Sequence, residues 1–201
     1  MKLATLAIAA ALAASVIGAS AQPAEVGKKA PAFKLASVEG REHALADFRG
    51  KFVVLEWTNY DCPFVRKHYN PGHMQVLQRE FTGKEIVWLS INSSAPGKQG
   101  HFTTEEWKKR MADWKVAATA VLLDPDGKVG RAYGAQTTPH IFIVNPEGVL
   151  IYAGAIDDKP STNPADIAGA KNFLRAALEQ ALAGRPVETP STKPYGCSVK
   201  Y

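Results

Sequence analysis

Residues 52–69 read FVVLEWTNYDCPFVRKHY and hold a strand, a turn and the start of a helix in one short span. The run FVVLEW at 52–57 is short and apolar, as a strand buried on both faces must be. Cys62 follows it by a few residues and precedes Pro63, a residue favoured at the first position of a helix. A helix is therefore predicted over 63–69, and a second over 73–81 after the break at Asn70, Pro71 and Gly72. The run EIVWLSI at 85–91 is the next strand candidate, so the unit is βαβ.

Downstream, Thr103 followed three residues later by Glu106 forms a capping box, and Trp107, Met111 and Trp114 then recur at helical spacing, which makes them core residues. Residues 120–123 read as a short strand stopped by the turn Asp124, Pro125, Asp126, Gly127. Strands at 141–144 and 149–152 flank Asn145, Pro146, Glu147 and Gly148 and should pair as an antiparallel hairpin. Asn163 with Pro164 predicts the start of a last helix carrying Ile167, Leu174, Leu178 and Leu182 and stopping at Gly184, Arg185, Pro186. From 185 onward Pro186, Pro190 and Pro194 punctuate a segment without apolar periodicity, expected to be an extended arm. The fold class is α/β.

The chain has 201 residues, 46% hydrophobic and 21% charged, a composition of packed globular proteins that excludes a collagenous or disordered chain. The formal charge of +5 is spread along the chain, and basic residues do not interleave with aromatics, so no nucleic-acid partner is expected. Met1 and Lys2 precede an apolar, Ala-rich run over 3–17 that ends in Gly18, Ala19, Ser20, Ala21. This predicts a signal peptide at 1–21 cleaved after Ala21, no membrane span, and a periplasmic or secreted protein. The expected division is then a domain at 22–184 and a C-terminal arm at 185–201. In an exported compartment a disulfide persists if two cysteines can meet, and the chain holds two, Cys62 and Cys197.

Chemistry is expected to begin at Cys62. A thiol at a helix start faces unpaired backbone N–H groups and the positive end of the helix dipole, both of which stabilise the thiolate, the nucleophilic form. Arg66 and Lys67, one turn on, would add to that effect and Asp61 would oppose it. The alternative is that Cys62 is a small buried apolar residue. Asp157 and Asp158 read as a turn pair without an acid-base partner, and the loop 92–100 lacks the order of a phosphate-binding loop and is expected beside the active site. No cofactor is suggested.

Gly27, Ala30, Pro31, Phe33 and Leu35, then Gly40, Leu45, Phe48, Gly50 and Lys51 before the FVVLEW strand, resemble the opening of the redoxin (AhpC/TSA-type) group. That group includes peroxiredoxins and periplasmic thiol-disulfide reductases. Asp124, Gly127, Tyr133, Gly134, Thr138 and Pro139, then IFIV and the turn at 145–148, resemble the second half of a thioredoxin-like fold. The segments DCPFVRKHY, NSSAPGKQG and YGCSVKY look like a peroxiredoxin-like subgroup. The resemblance implies a central mixed sheet flanked by helices, with an N-terminal redoxin extension.

It also implies roles. Cys62 falls where thioredoxins place their attacking cysteine and peroxiredoxins their peroxidatic one. Pro139, after Thr138, falls at the thioredoxin cis-proline, which packs on the active-site sulfur and leaves the preceding backbone free to pair with an extended substrate. Two departures stand out. Val65 occupies the place of thioredoxin's second cysteine, and Asn59 the place of the threonine three residues before the peroxidatic cysteine. Cys197 is then the candidate resolving cysteine, within reach because the twelve steps from Arg185 span about 40 Å when extended. A static Cys62–Cys197 staple and two unpaired thiols remain open. The redox reading implies a peroxide or disulfide substrate and an external dithiol reductant. The other class is a noncatalytic thioredoxin-like module that binds extended peptides beside Pro139, or copper through Cys62 with His68, His73 and His140.

Overall fold

The computed structural model describes residues 23–201, so the signal peptide expected at 1–21 lies outside the described residues. Strands β1 (Lys34–Ser37) and β2 (Glu42–Ala44) open the chain and are followed by a 3₁₀ turn at Leu45–Phe48. Then come β3 (Val53–Trp57), α1 (Pro63–Tyr69), α2 (His73–Thr82), β4 (Val87–Asn92), α3 (Thr104–Asp113), β5 (Ala120–Leu123) and α4 (Lys128–Tyr133). Short β6 (Thr137–Thr138) leads into β7 (His140–Val144) and β8 (Leu150–Gly154). A 3₁₀ turn at Pro164–Gly169, α5 (Phe173–Leu182) and β9 (Cys197–Ser198) close the chain.

Among the described residues, seven strands form one mixed sheet in the order β2-β1-β5-β4-β3-β7-β8. The βαβ unit is present as read: β3 and β4 are parallel, in register from Val53 opposite Val87 to Trp57 opposite Ile91. On its other side β3 pairs antiparallel with β7, and β7 and β8 form the expected hairpin. This α/β arrangement is the thioredoxin-like fold that the resemblance implied.

Because β3 is central it alternates between two cores rather than between core and water. Val54 faces the α1–α2–α5 side with Trp88, Ile141 and Leu178. Val53, Leu55 and Trp57 face the side closed by Tyr133 of α4, Phe33 and Leu45. Each such fully buried side chain contributes about 1.5–3 kcal/mol. Glu56 is the exception. It is wholly buried on the α1–α2 side, and its carboxylate accepts from Tyr69 Oη (2.9 Å), Trp88 Nε1 (2.9 Å), Ser90 Oγ (3.0 Å) and Gln78 Nε2 (3.3 Å). Burial raises its pKa, the hydrogen bonds opposing.

Two expectations are corrected. The last helix does not start at Asn163. Asn163 caps the Pro164–Gly169 turn instead, and Asn172, whose side chain accepts from Arg175 N at 2.8 Å, starts α5; Ile167 is thus left outside the helix and only half-buried. Asp157 is not a turn residue without a partner. It is 2% exposed and ion-paired with Lys67 (3.2 Å), while Asp158 is exposed. Helix α4, β1 and β2 are additional to the sequence reading.

Candidate active site

Cys62 is the N-cap of α1, in extended conformation, with Pro63 at the first helical position, as read. Its carbonyl accepts from Val65 N (3.1 Å) and Arg66 N (3.0 Å), which closes the first turn of the helix. The sulfur does not reach the helix N–H groups, contrary to expectation. It contacts two other atoms: the Thr138 carbonyl oxygen at 3.0 Å and Cys197 Sγ at 2.7 Å. Nor do the neighbouring basic residues turn to the sulfur as expected. Arg66 is held by Asp61 (3.0 Å) and the Tyr60 carbonyl (2.9 Å), and the Lys67 ammonium by Asp157 and the Lys159 carbonyl (2.6 Å).

The Thr138–Pro139 peptide bond is cis. Strand β6, ending at Thr138, pairs antiparallel with β9 of the arm, Thr138 opposite Cys197 and Thr137 opposite Ser198. The chain's own C-terminus thus fills the edge that the resemblance left free for an extended substrate. Gly196 makes this approach possible. Its φ is +144°, and a Cβ there would fall inside van der Waals contact of the Thr138 carbonyl oxygen. Further hydrogen bonds fasten the arm on both sides of the cysteine: Thr192 N to the Ala153 carbonyl (3.1 Å), Val199 N to Gln136 (3.0 Å), and Ala95 N to the Lys200 carbonyl (2.8 Å). The last puts the 92–100 loop beside the site, as expected. Tyr201 Oη donates to the Ala135 carbonyl at 2.8 Å, with Arg131 over its ring.

The result is an asymmetric pair. Cys62 is fully buried beneath the arm, whereas Cys197 is half-buried. Burial pushes the Cys197 thiol up to about 12, with the adjacent Cys62 sulfur adding to the effect, so Cys197 holds its proton at neutral pH. A covalent disulfide is about 2.05 Å long, so a small movement of the arm joins or parts these sulfurs.

Asn59, at the position where peroxiredoxins carry threonine, is committed to the loop. Its Oδ1 accepts from Asp61 N (2.9 Å) and its Nδ2 donates to the Gln99 carbonyl (3.2 Å). The proposed copper ligands are not gathered around Cys62. His68 and His73 face each other, Nδ1 to Nδ1 at 3.0 Å, and His140 accepts from Gln136 N (3.3 Å). Burial lowers His68 to about 3 and His140 to about 4. Among the described residues no group of three or more His, Cys, Asp or Glu side chains is placed to hold a metal ion. Two residues of the site's support, Glu56 and Tyr195, were not singled out from the sequence. A carboxylate inside an otherwise apolar strand was the available signal for Glu56, and for Tyr195 its place at the head of the YGCSVKY segment.

The AhpC/TSA family model matches residues 26–153. A thiol-disulfide oxidoreductase ResA of Geobacillus thermodenitrificans is 29% identical over 124 residues, which cover 61% of this chain and 65% of that protein, just under two thirds of its length. An uncharacterized conserved protein of Geobacillus kaustophilus of known crystal structure is 29% identical, covers 88% of this chain and 92% of that one, and superposes with a TM-score of 0.74. A putative thiol:disulfide interchange protein DsbE of Chlorobium tepidum, 25% identical, covers 80% of this chain and 97% of that one with a TM-score of 0.55. With the buried strand-to-helix cysteine, the mixed sheet and a family match over more than half its length, the chain belongs to the AhpC/TSA family of thioredoxin-like proteins.

Proposed function

We propose that the protein is an exported thiol-disulfide oxidoreductase in which Cys62 is the redox nucleophile and Cys197 its resolving partner. The observation that carries this reading is the 2.7 Å approach of two sulfurs 135 residues apart, made by an arm paired strand-to-strand with Thr138. In the reductive direction the Cys62 thiolate attacks one sulfur of a substrate disulfide. That S–S bond breaks, the other substrate sulfur leaves as thiolate and takes a proton, and a mixed disulfide remains. Cys197 then attacks Cys62 Sγ, the substrate's second sulfur leaves as thiolate and takes the Cys197 proton, and the Cys62–Cys197 disulfide holds the oxidation that the substrate has lost. An external dithiol returns the pair to the reduced state. Thr138 and Pro139 shape the wall against which the exchange occurs.

The names of the ResA and DsbE relatives support disulfide exchange. Peroxide reduction is less well supported, because the Asn59 side chain is already bonded to backbone and is not free to orient a peroxide. Export rests on the sequence at 1–21. The domain at 22–184 and the arm at 185–201 act as one unit. No helix of the described residues is long and apolar enough to cross a membrane.

Glutathione equilibration followed by alkylation and intact mass tests the function, and the same masses report whether cleavage follows Ala21. A potential between about −120 and −270 mV, the range of exchanging dithiols, is expected; one below about −300 mV would make the pair a structural staple and leave a peptide-binding module as the reading. Cys197→Ser should accumulate a mixed disulfide at Cys62, and Cys62→Ser should abolish exchange.

A further inference from the structure

Tyr195 and Cys197 stand on either side of Gly196, a bend with a φ of +144°, and the side chains of both are directed at α1. Cys197 meets Cys62 at the helix start. Tyr195 reaches farther along the same helix, its ring edge-on to Phe64 (centroids 5.9 Å apart) and 5.3 Å from the Lys67 ammonium. Its hydroxyl donates to Asp157 Oδ1 at 2.5 Å, accepts from Lys67 Nζ at 3.2 Å, and lies 3.3 Å from His68 Nε2. Lys67, His68 and Asp157 are each no more than 2% exposed. A buried ammonium and carboxylate are costly to leave without partners, so this polar core gives the arm one defined seat, two residues from the resolving sulfur.

Between Tyr195 and Cys197, Gly196 lies close against the Thr138 carbonyl. The arm therefore closes over a cysteine that is fully buried while it is seated. An outside disulfide reaches Cys62 only when this strand lifts.

We propose that Tyr195 is the positioning residue of Cys197: its hydroxyl, seated on the buried Lys67–Asp157 pair behind α1, holds the resolving cysteine at Cys62, and its release uncovers Cys62 and the Thr137–Thr138 edge. This rests on the redox reading above and deepens it. The seated arm is the occupant that an extended, cysteine-bearing segment of a protein substrate replaces. Tyr195 sets the balance between the two, because it raises the effective concentration of Cys197 at Cys62 without touching either sulfur.

Two measurements on the full-length protein test it. In the first, the wild type, Tyr195→Phe and Tyr195→Ala are equilibrated with glutathione and the fraction oxidised is read by mass. The effective concentration of Cys197 should fall at least tenfold for Tyr195→Ala, and by a smaller factor for Tyr195→Phe, which keeps the ring and loses the hydroxyl. Values within twofold of wild type in both variants would overturn the proposal. A role confined to folding stability would lower the melting temperature while leaving this redox ratio unchanged. In the second, Cys62 is alkylated with iodoacetamide in the Cys197→Ser background. Adding Tyr195→Phe should speed labelling several-fold, and no acceleration would overturn the gating role. The second measurement needs no disulfide. If Cys62 and Cys197 never form one, the redox function fails while the labelling rates still report on Tyr195.

Discussion

Glu56 shows how one side chain ties the layers together at the residue scale. Four side-chain donors, from α1, α2 and β4, converge on its carboxylate in a space sealed from water. Removing it strands Tyr69 Oη, Trp88 Nε1 and Ser90 Oγ, while Gln78 Nε2 keeps its bond to Tyr69 Oη (2.9 Å), and each buried donor so stranded costs about 1–3 kcal/mol. Glu56→Ala is therefore expected to destabilise the fold by about 3 kcal/mol or more in urea unfolding. Glu56→Gln should cost far less, since an amide oxygen can replace Oε2 and Tyr69 Oη, which donates to Oε1, can turn to accept. Gly196 is a second residue whose identity its contacts dictate. Gly196→Ala places a methyl against the Thr138 carbonyl, and iodoacetamide should then label Cys62 faster than in wild type. Unchanged labelling would mean that the strand absorbs the methyl without lifting.

The helix starts separate local chemistry from tertiary demand at the element scale. Both halves of the α3 capping box form: Glu106 N donates to Thr103 Oγ1 at 3.2 Å and Thr103 N to Glu106 Oε2 at 2.8 Å. Thr103→Ala should cost about 1 kcal/mol by thermal melting, without effect on the thiols. Helix α5 has two asparagine starts in sequence, and both asparagine side chains cap, Asn163 a 3₁₀ turn and Asn172 the helix itself. The chain between them turns so that Leu174 and Leu178 face the core, and the amides near Asn172 also serve Asp158, which accepts from Lys171 N at 2.9 Å. Apolar spacing alone could not choose between these starts, because the choice depends on a loop met only in three dimensions.

Closure and burial set the energetics of the whole molecule. Joining Cys62 to Cys197 closes a loop of 135 residues, worth about 5 kcal/mol in the chain-entropy model. Reduction should lower the midpoint of chemical unfolding, and Cys197→Ser should match the reduced wild type; equal midpoints for oxidised and reduced protein would show that the arm is already held by its other contacts. Burial also makes stability pH-dependent. His140 is held neutral to about pH 4, whereas a histidine in the unfolded chain takes its proton near 6.5. Between those values the unfolded state binds more protons, so the stability is complete above about pH 6.5 and falls as the pH drops toward 4. His68, lowered to about 3, acts in the same direction. Stability measured at pH 7 and pH 5 should fall for the wild type, and less steeply for His140→Gln, by up to about 1.4 kcal/mol per pH unit.

Much of this protein is written locally. The β3–α1 turn, Cys62 at the helix start, the α3 capping box and the β7–β8 hairpin each depend on residues close in the chain, where apolar period and cap chemistry act directly. The meeting of Cys62 with Cys197 was legible only as a possibility of reach, because chain length sets how far an arm extends and says nothing of where it docks. That choice came from the folded surface: the open Thr137–Thr138 edge, the glycine-sized clearance at Gly196, and the buried Lys67–Asp157 pair awaiting a hydroxyl. Sequence read Asp157 as a turn residue and Lys67 as a charge acting on Cys62, since burial is a property of the assembled layers. Once β3, α1 and the arm are packed together, the same residues become the seat that brings one sulfur to the other.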